Sequence, residues 1–300
     1  MNVLVNVNGQ VANGANAAIS VFDHGFLYGE GVYETIRTYN GEPFLFDRHM
    51  QRLRASAAMI RLDVPLPDAE YWKRSVDTMT AAGLGKRNDG TVAEAYIRIL
   101  HTRGIGDLSY DPAATPTPSV VVIVKPLPVP AETQFRDGVK VCMVDIIRNH
   151  PRSVSPLIKS NNLLNNALCM QEALRNGGVE GVFRNYKGEL SECSQSNLFV
   201  VQSGVVRTPP LEAGLLAGIT RGFVFELGTA LGIPVEEAVL RDDDLFGADE
   251  AFFTSTTKEL MPIVRVDDRT IASGTPGAIT QRLLSEYRRR ANEMTTAAVR

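Results

Sequence analysis

The chain is poor in the residues from which disulfide frameworks, metal sites and membrane spans are built. Its three cysteines, Cys142, Cys169 and Cys193, are an odd number standing 27 and 24 residues apart. That spacing suits neither a disulfide framework nor a zinc site, and it fits a reducing compartment. The four histidines, His24, His49, His101 and His150, are scattered and form no HExxH, so no metal ion is expected. No stretch approaches the roughly 18 consecutive apolar residues of a membrane helix. The first basic residue is Arg37, which leaves no basic leader of a secretory or transit type, and the expected location is the cytoplasm. An excess of one charge is missing too: 31 Lys and Arg against 34 Asp and Glu leave a net charge of −3. So even a balance carries no electrostatic footprint for nucleic acid or an anionic membrane, and neither is an expected partner.

What is there is an ordinary globular composition. The chain has 300 residues, 44% hydrophobic and 22% charged, enough for a sizeable core and, at about 150 residues each, roughly two domains. Alternation at Val3, Val5 and Val7 before Gly9 predicts a strand and a turn. Glycines 25, 29 and 31 precede a strand over 32–39, and Asn40-Gly41 signals a hairpin into 43–46. Met50, Leu53, Ala57 and Ile60 then fall at helical spacing, with Asp47 as the expected N-cap. A second helix is predicted over 68–82 and strands over 96–100 and 119–124. Prolines at 126, 128 and 130 make a stiff extended segment. The expected division is therefore a domain over 1–124, a linker over 125–137 and a second domain over 138–300. Beyond it the pattern predicts strands over 139–147, 181–184, 198–201 and 251–254, and helices over 161–175, 220–231 and 277–292. No repeat of 20–50 residues occurs.

Four features carry chemistry. Lys159 is the only charged residue from Ser153 to Gln171; an amine in such surroundings can form a Schiff base with a carbonyl, although a snorkelling surface lysine would read the same in isolation. Gly218-Ile219-Thr220-Arg221 runs into an amphipathic helix, whose N–H groups and dipole suit a phosphate, or simply a capped helix. Thr254-Ser255-Thr256-Thr257 offers four hydroxyls at the end of an apolar strand. Glu192 follows the hairpin tip Lys187-Gly188 among small neighbours, and could hold a heteroaromatic nitrogen protonated or face solvent. An amine, two anion sites and a carboxylate are together the parts required by pyridoxal 5′-phosphate.

The order of the motifs adds to this reading. They run Tyr28-Gly29-Glu30-Gly31-Val32-Tyr33-Glu34, His49-Met50-Gln51-Arg52-Leu53, Tyr96-Ile97-Arg98, Ile158-Lys159-Ser160, Glu189-Leu190-Ser191-Glu192 through Asn197-Leu198-Phe199, Gly218-Ile219-Thr220-Arg221, and Thr254-Ser255-Thr256-Thr257-Lys258-Glu259. From about Asn8 to about Ala291 the chain resembles the class IV (fold type IV) pyridoxal phosphate-dependent aminotransferases, the group of branched-chain and D-amino-acid aminotransferases. The resemblance implies an α+β fold, a small N-terminal α/β domain and a larger C-terminal pseudo-barrel domain, in a homodimer or higher homo-oligomer. It implies that Lys159 forms the Schiff base and shuttles the proton, and that Glu192 pairs with the pyridine nitrogen. Arg52, Gly218, Ile219, Thr220, Ser255 and Thr256 would surround the phosphate, and Leu216 would pack on the ring. Tyr28, Tyr33, Tyr96, Arg98 and Thr257 would bind substrate.

Within the family, Tyr-Ile-Arg and the set of tyrosines resemble the branched-chain enzymes, and the loop over 104–111 lacks the Arg-x-His pair of the D-amino-acid enzymes. Three positions depart from the branched-chain pattern: Ile99 in place of Pro, Thr35 in place of Gly, and Leu163 where a tyrosine would contact the cofactor's phenolic oxygen. Arg148 is the expected substitute for that tyrosine. His101 and Arg103 add polar groups near the same loop, or simply face solvent. The expected reaction moves an amino group from a branched-chain L-amino acid donor to 2-oxoglutarate as the 2-oxo acid acceptor, with ping-pong kinetics. A D-amino-acid or (R)-amine transaminase, an aminodeoxychorismate lyase and an inactive small-molecule-binding homologue are the alternatives.

Overall fold

The computed structural model describes residues 3–87 and 89–297. The chain clusters into two compact units. The first opens with β1 (Leu4–Val7), β2 (Gln10–Asn13), α1 (His24–Leu27), β3 (Gly31–Tyr39) and β4 (Glu42–Pro43). It continues through helices α2 (Phe46–Met59) and α3 (Asp68–Ala81), the short strands β5 (Gly85–Lys86) and β6 (Val92–Ala93), then β7 (Ala95–Thr102) and β8 (Ser119–Pro126). Six of these strands form one sheet in the order β2-β1-β8-β7-β3-β4, every neighbouring pair antiparallel.

The period of two along its strands separates two faces. Val32 and Ile36 of β3, Ala95, Ile97 and Ile99 of β7, and Val120, Val122 and Val124 of β8 are buried against Met50, Leu53 and Ala57 of α2 and Tyr71 and Met79 of α3. The residues between them, Tyr33 and Thr35 on β3 and Tyr96 and Arg98 on β7, share the other face, with Thr35 opposite Arg98. One residue breaks the pattern: Glu34 lies between Val32 and Ile36 in the buried stripe and is fully buried.

The hairpin at Asn40-Gly41 forms as expected, with φ of 52° and 74°. Asp47 is not the N-cap of α2; Leu45 is, in the left-handed region at φ 53°, and Asp47 sits in the first turn. There its carboxylate still complements the helix dipole, while burial of Phe46 at the first helical position sets where the helix begins.

The second unit comprises α4 (Glu132–Asp137), β9 (Val139–Met143), α5 (Leu164–Arg175), β10 (Gly181–Arg184), β11 (Leu190–Cys193), β12 (Asn197–Gln202) and β13 (Val205–Thr208). It goes on through α6 (Ile219–Leu231), β14 (Val235–Glu237), α7 (Asp242–Phe246), β15 (Glu250–Ser255), β16 (Glu259–Val266), β17 (Arg269–Thr270) and α8 (Ala278–Ala297). Its sheet runs β11-β10-β9-β16-β15-β12-β13-β14, with β17 on β16. The pairs β9·β10, β9·β16 and β13·β14 are parallel and the others antiparallel. This open mixed sheet is the half-barrel of the expected α+β fold.

The units do not follow the expected linear division. The first extends to Pro128, because β8 runs to Pro126 and the Leu127 N–H donates to Glu94 O at 3.0 Å. The stretch expected as linker also contains all of α4. Ile158–Asn162 and the end of α8 from Ala291 cluster with the first unit. The first of these lies along β3, through Tyr33 N–H to Lys159 O and Asn161 N–H to Gly31 O, both 2.9 Å. The second is held by the Asn40 side-chain amide, which donates to Asn292 O at 3.3 Å and Thr295 Oγ1 at 3.0 Å. Pairing of 158–162 with β3 is also why α5 begins at Leu164 rather than 161.

Candidate active site

In the first unit the sheet edge presents Lys159. Its backbone is fixed by β3 and by Ser56 of α2, whose Oγ accepts the Lys159 N–H at 3.1 Å. Gly31 permits the approach, since a Cβ there would meet Asn161 Nδ2 at 2.5 Å. The Lys159 Nζ lies 4.5 Å from the centre of the Tyr33 ring, and the Arg98 guanidinium lies 4.1 Å from the same centre. Two cations over one ring are a cation–π arrangement suited to receiving an anionic ligand. Arg98 Nε is buried and has no hydrogen-bond partner among the described residues.

Beneath that face, His49, Arg52 and Ser56 recur at helical spacing on the side of α2 that meets β3. Glu34 accepts Arg52 Nε at 2.7 Å on one oxygen, and on the other Arg52 Nη2 at 2.8 Å and His49 Nδ1–H at 2.7 Å. Burial alone would raise the Glu34 carboxyl, but Arg52 and His49 outweigh it and hold it far below the ordinary carboxylate range. Burial lowers the His49 pKa, with the charges of Arg52 and Lys159 adding to it against Glu34. His49 is therefore neutral at pH 7, with its proton on Nδ1 facing the carboxylate. The result is a guanidinium whose plane is set by a bidentate carboxylate.

Tyr28 caps α1 and packs its ring at 4.9 Å from both His24 and Tyr110. The Tyr96 hydroxyl is 3.5 Å from Thr35 Oγ1. His101 and Arg103 are buried, not solvent-facing. His101 bonds the Tyr71 hydroxyl and Asp63 O, and Arg103 bonds Glu30, Arg61 O and Ile60 O.

In the second unit Glu192 sits on β11, buried. One oxygen accepts Arg148 Nε at 2.8 Å; the other accepts the Leu216 N–H at 3.0 Å and Asn197 Nδ2 at 3.4 Å. Arg148 Nη1 also donates to Asn165 Oδ1 at 2.9 Å, so the arginine expected at a cofactor's phenolic oxygen is engaged with Glu192. Asn197 Nδ2 reaches Leu216 O at 2.9 Å as well. A Cβ on Gly218 would meet Asn197 Oδ1 at 2.0 Å, which is why that position is glycine. Gly218 is the N-cap of α6 without a side-chain cap bond, and Thr220 falls in the first turn, leaving N–H groups of the kind that bind phosphate. Two buried hydroxyls flank Asn197, Ser196 Oγ next to it and Thr254 Oγ1 across from it on β15; neither has a partner among the described residues. Such orphaned donors cost about 1–3 kcal/mol each unless something accepts from them. Ser255 ends β15, and Thr256 and Thr257 form the turn that follows. These residues fit a phosphate-bearing ring with a protonated nitrogen.

The six expected residues Lys159, Tyr28, Tyr33, Tyr96, Arg98 and Arg52 thus fall in the first unit, and Arg148, Glu192, Leu216, Gly218, Ile219, Thr220, Ser255, Thr256 and Thr257 in the second. Sequence reasoning assigned no role to Glu34, His49, Asn197 or Asn165. For Glu34 a signal was available, an acid in step with Val32 and Ile36; Asn197 and Asn165 are set by contacts distant in sequence. Among the described residues no group of three His, Cys, Asp or Glu could hold a metal ion. All three cysteines are free and buried, with burial pushing the Cys169 thiol up to about 12.

Residues 31–266 match the family model of amino-transferase class IV. A Methanocaldococcus jannaschii protein assigned as a branched-chain-amino-acid aminotransferase is 36% identical over 282 residues, 94% of each chain. The D-alanine aminotransferase of Bacillus licheniformis is 34% identical over 274 residues, 91% of this chain and 92% of that one. Among solved structures, the T.th. branched-chain amino acid aminotransferase with pyridoxamine 5′-phosphate superposes with a TM-score of 0.89 at 28% identity, over 97% of this chain and 94% of that one.

Proposed function

This chain belongs to the class IV aminotransferases, and on that premise we propose that it moves the amino group of a branched-chain L-amino acid to 2-oxoglutarate. Pyridoxal 5′-phosphate is the cofactor; bound, it supplies an aldehyde that condenses with amines and a protonated ring that accepts the electron pair left at Cα. Lys159 would supply the amine that holds the cofactor, and its Nζ would carry the Cα proton. Glu192, oriented by Arg148, Asn197 and the Leu216 N–H, pairs with the ring nitrogen. Ile219, Thr220, Ser255 and Thr256 of the second unit would hold the phosphate and Leu216 would pack on the ring, while Arg52 is the oriented cation that the first unit offers to an anion.

The observation that carries the choice of substrate is the Tyr33 face. Arg98 stands there beside the lysine, its buried Nε without a partner among the described residues, and would take a substrate carboxylate with Tyr28 and Tyr96 of the same unit. Arg103 and His101, the polar groups near the loop over 104–111, have their hydrogen bonds inside the first unit. The two half-reactions share one site, which makes the kinetics ping-pong.

A homodimer is part of the same proposal. Phe22, Phe26, Leu108 and Tyr110 are 51–81% exposed. Their segments are joined by Gly106 N–H to Phe22 O at 3.2 Å, by His24 N–H to Gly104 O at 2.9 Å, and by the Tyr28–Tyr110 contact. An exposed apolar patch of this kind suits a second copy of the chain. The cytoplasm is the proposed location.

The test is a panel of half-reactions: the cofactor-loaded protein is mixed with L-leucine, D-alanine, D-glutamate or (R)-1-phenylethylamine, and loss of the cofactor's visible absorbance is followed. L-leucine is expected to react fastest. A fast D-alanine reaction with L-leucine silent would overturn the substrate class and leave the family standing. In steady-state assays Arg98→Ala should raise the KM for the oxo acid about tenfold to a hundredfold, the value of a charged hydrogen bond.

A further inference from the structure

Glu180 and Lys258 have no part in the chemistry above, yet their charges meet in the second unit. Glu180 is fully buried and accepts from Lys258 Nζ at 2.7 Å, from the Gln195 N–H at 3.0 Å and from the Ser194 hydroxyl. Lys258 is 27% exposed and closes the turn over 255–258, its N–H donating to Ser255 Oγ at 3.2 Å. The next residue, Glu259, has φ 53° and accepts Arg288 Nε at 2.7 Å. Ser194 and Gln195 belong to the turn between the strand of Glu192 and the strand of Asn197. The Ser194 carbonyl accepts Asn166 Nδ2 at 2.9 Å, and Asn166 Oδ1 is 3.4 Å from Arg148 Nη1. A continuous set of bonds therefore runs from the hydroxyl-rich turn to the arginine that orients Glu192.

Burying a carboxylate with a lysine is a poor way to gain stability, since desolvation offsets most of the attraction. What such a pair does supply is a fixed distance between the two segments it joins. We propose that Glu180 and Lys258 are a positioning pair that holds the turn of Ser255, Thr256 and Thr257 in register with the Glu192–Asn197 hairpin, so that the phosphate-binding hydroxyls are pre-set before the cofactor arrives. The function of that turn rests on the reading above; the clamp itself does not. Neither residue touches the reacting atoms.

The test compares the parent protein with Glu180→Gln/Lys258→Met, which removes both charges together and leaves no unpaired one, and with Lys258→Arg as the conservative rescue. Amide hydrogen exchange over 255–259 in the cofactor-free protein is read beside the Kd of pyridoxal 5′-phosphate and the thermal midpoint. The double variant should keep a midpoint near the parent's, exchange faster over 255–259, and bind the cofactor about tenfold more weakly, as expected when charge-assisted donors lose their alignment. Lys258→Arg, which keeps a cation on Glu180, should retain the parent's exchange and affinity, and a loss like the double variant's would overturn the role of the charge pair. Unchanged exchange over 255–259 in the double variant would overturn the clamp, as would faster exchange with an unchanged Kd overturn its pre-setting of the phosphate site. If the parent itself fails to bind the cofactor, the functional reading falls, and the exchange comparison still decides the clamp.

Discussion

In each unit an arginine meets a buried carboxylate, Arg52 on Glu34 and Arg148 on Glu192, and the two pairs run in opposite directions. In the first, Glu34 takes two nitrogens of Arg52 and one of His49, so the carboxylate is spent on orienting a cation. In the second, Arg148 is placed on Glu192, so the arginine is spent on orienting an anion. Both pairs carry a desolvation cost that argues against a purely stabilising purpose. The oriented group thus has opposite sign in the two pairs, a guanidinium in one and a carboxylate in the other.

Substitutions can break this symmetry in order of effect. Glu192→Gln removes the anion itself and should lower kcat about 10²–10³-fold, the loss typical of removing one transition-state partner, with KM nearly unchanged in steady-state kinetics. Glu34→Gln removes only an orienting group. It should weaken cofactor binding about tenfold to a hundredfold, and saturation with cofactor should restore most of kcat. A kcat loss in Glu34→Gln equal to that of Glu192→Gln at saturating cofactor would refute the distinction. Arg148→Met should fall below both, lowering kcat about tenfold while Asn197 and the Leu216 N–H still hold the carboxylate.

The smallest effect is on pH dependence. His49 titrates below its unfolded value of about 6.5, so on acidification the unfolded chain takes up a proton before the folded one. Its contribution is therefore fully present above that value and lost as pH falls toward the folded pKa. Glu34 acts in the same direction at lower pH, because its folded pKa is also depressed. His49→Asn, whose amide can replace Nδ1–H, should flatten thermal stability between about pH 6.5 and 5 and leave the acid-side fall in place. An unchanged slope in that interval would assign it to other groups.

Much of this architecture was legible in local pattern. Alternation at Val3, Val5 and Val7 marked β1, the strands expected over 32–39, 96–100 and 119–124 appear as β3, β7 and β8, the Asn40-Gly41 turn formed, and the helix predicted over 68–82 appears as Asp68–Ala81. The isolation of Lys159 and the hydroxyls after β15 marked groups that the structure sets in defined surroundings. What local pattern missed depends on distant partners. Lys159 joins the first unit because β3 and Ser56 bind its backbone from over a hundred residues away. Leu45 displaces Asp47 as the cap because Phe46 must be buried, and packing overrides capping preference. His101 and Arg103 looked like loop polarity, whereas their partners Tyr71, Asp63, Ile60 and Arg61 come from another part of the chain.

The most direct measurement is product formation from L-leucine and 2-oxoglutarate, with pyridoxal 5′-phosphate added, by the parent protein and by Lys159→Ala. The parent should yield L-glutamate and 4-methyl-2-oxopentanoate in equal amounts, and Lys159→Ala should lose about 10³-fold or more of that rate. No L-glutamate from a cofactor-loaded parent, or an equal rate in Lys159→Ala, would contradict it.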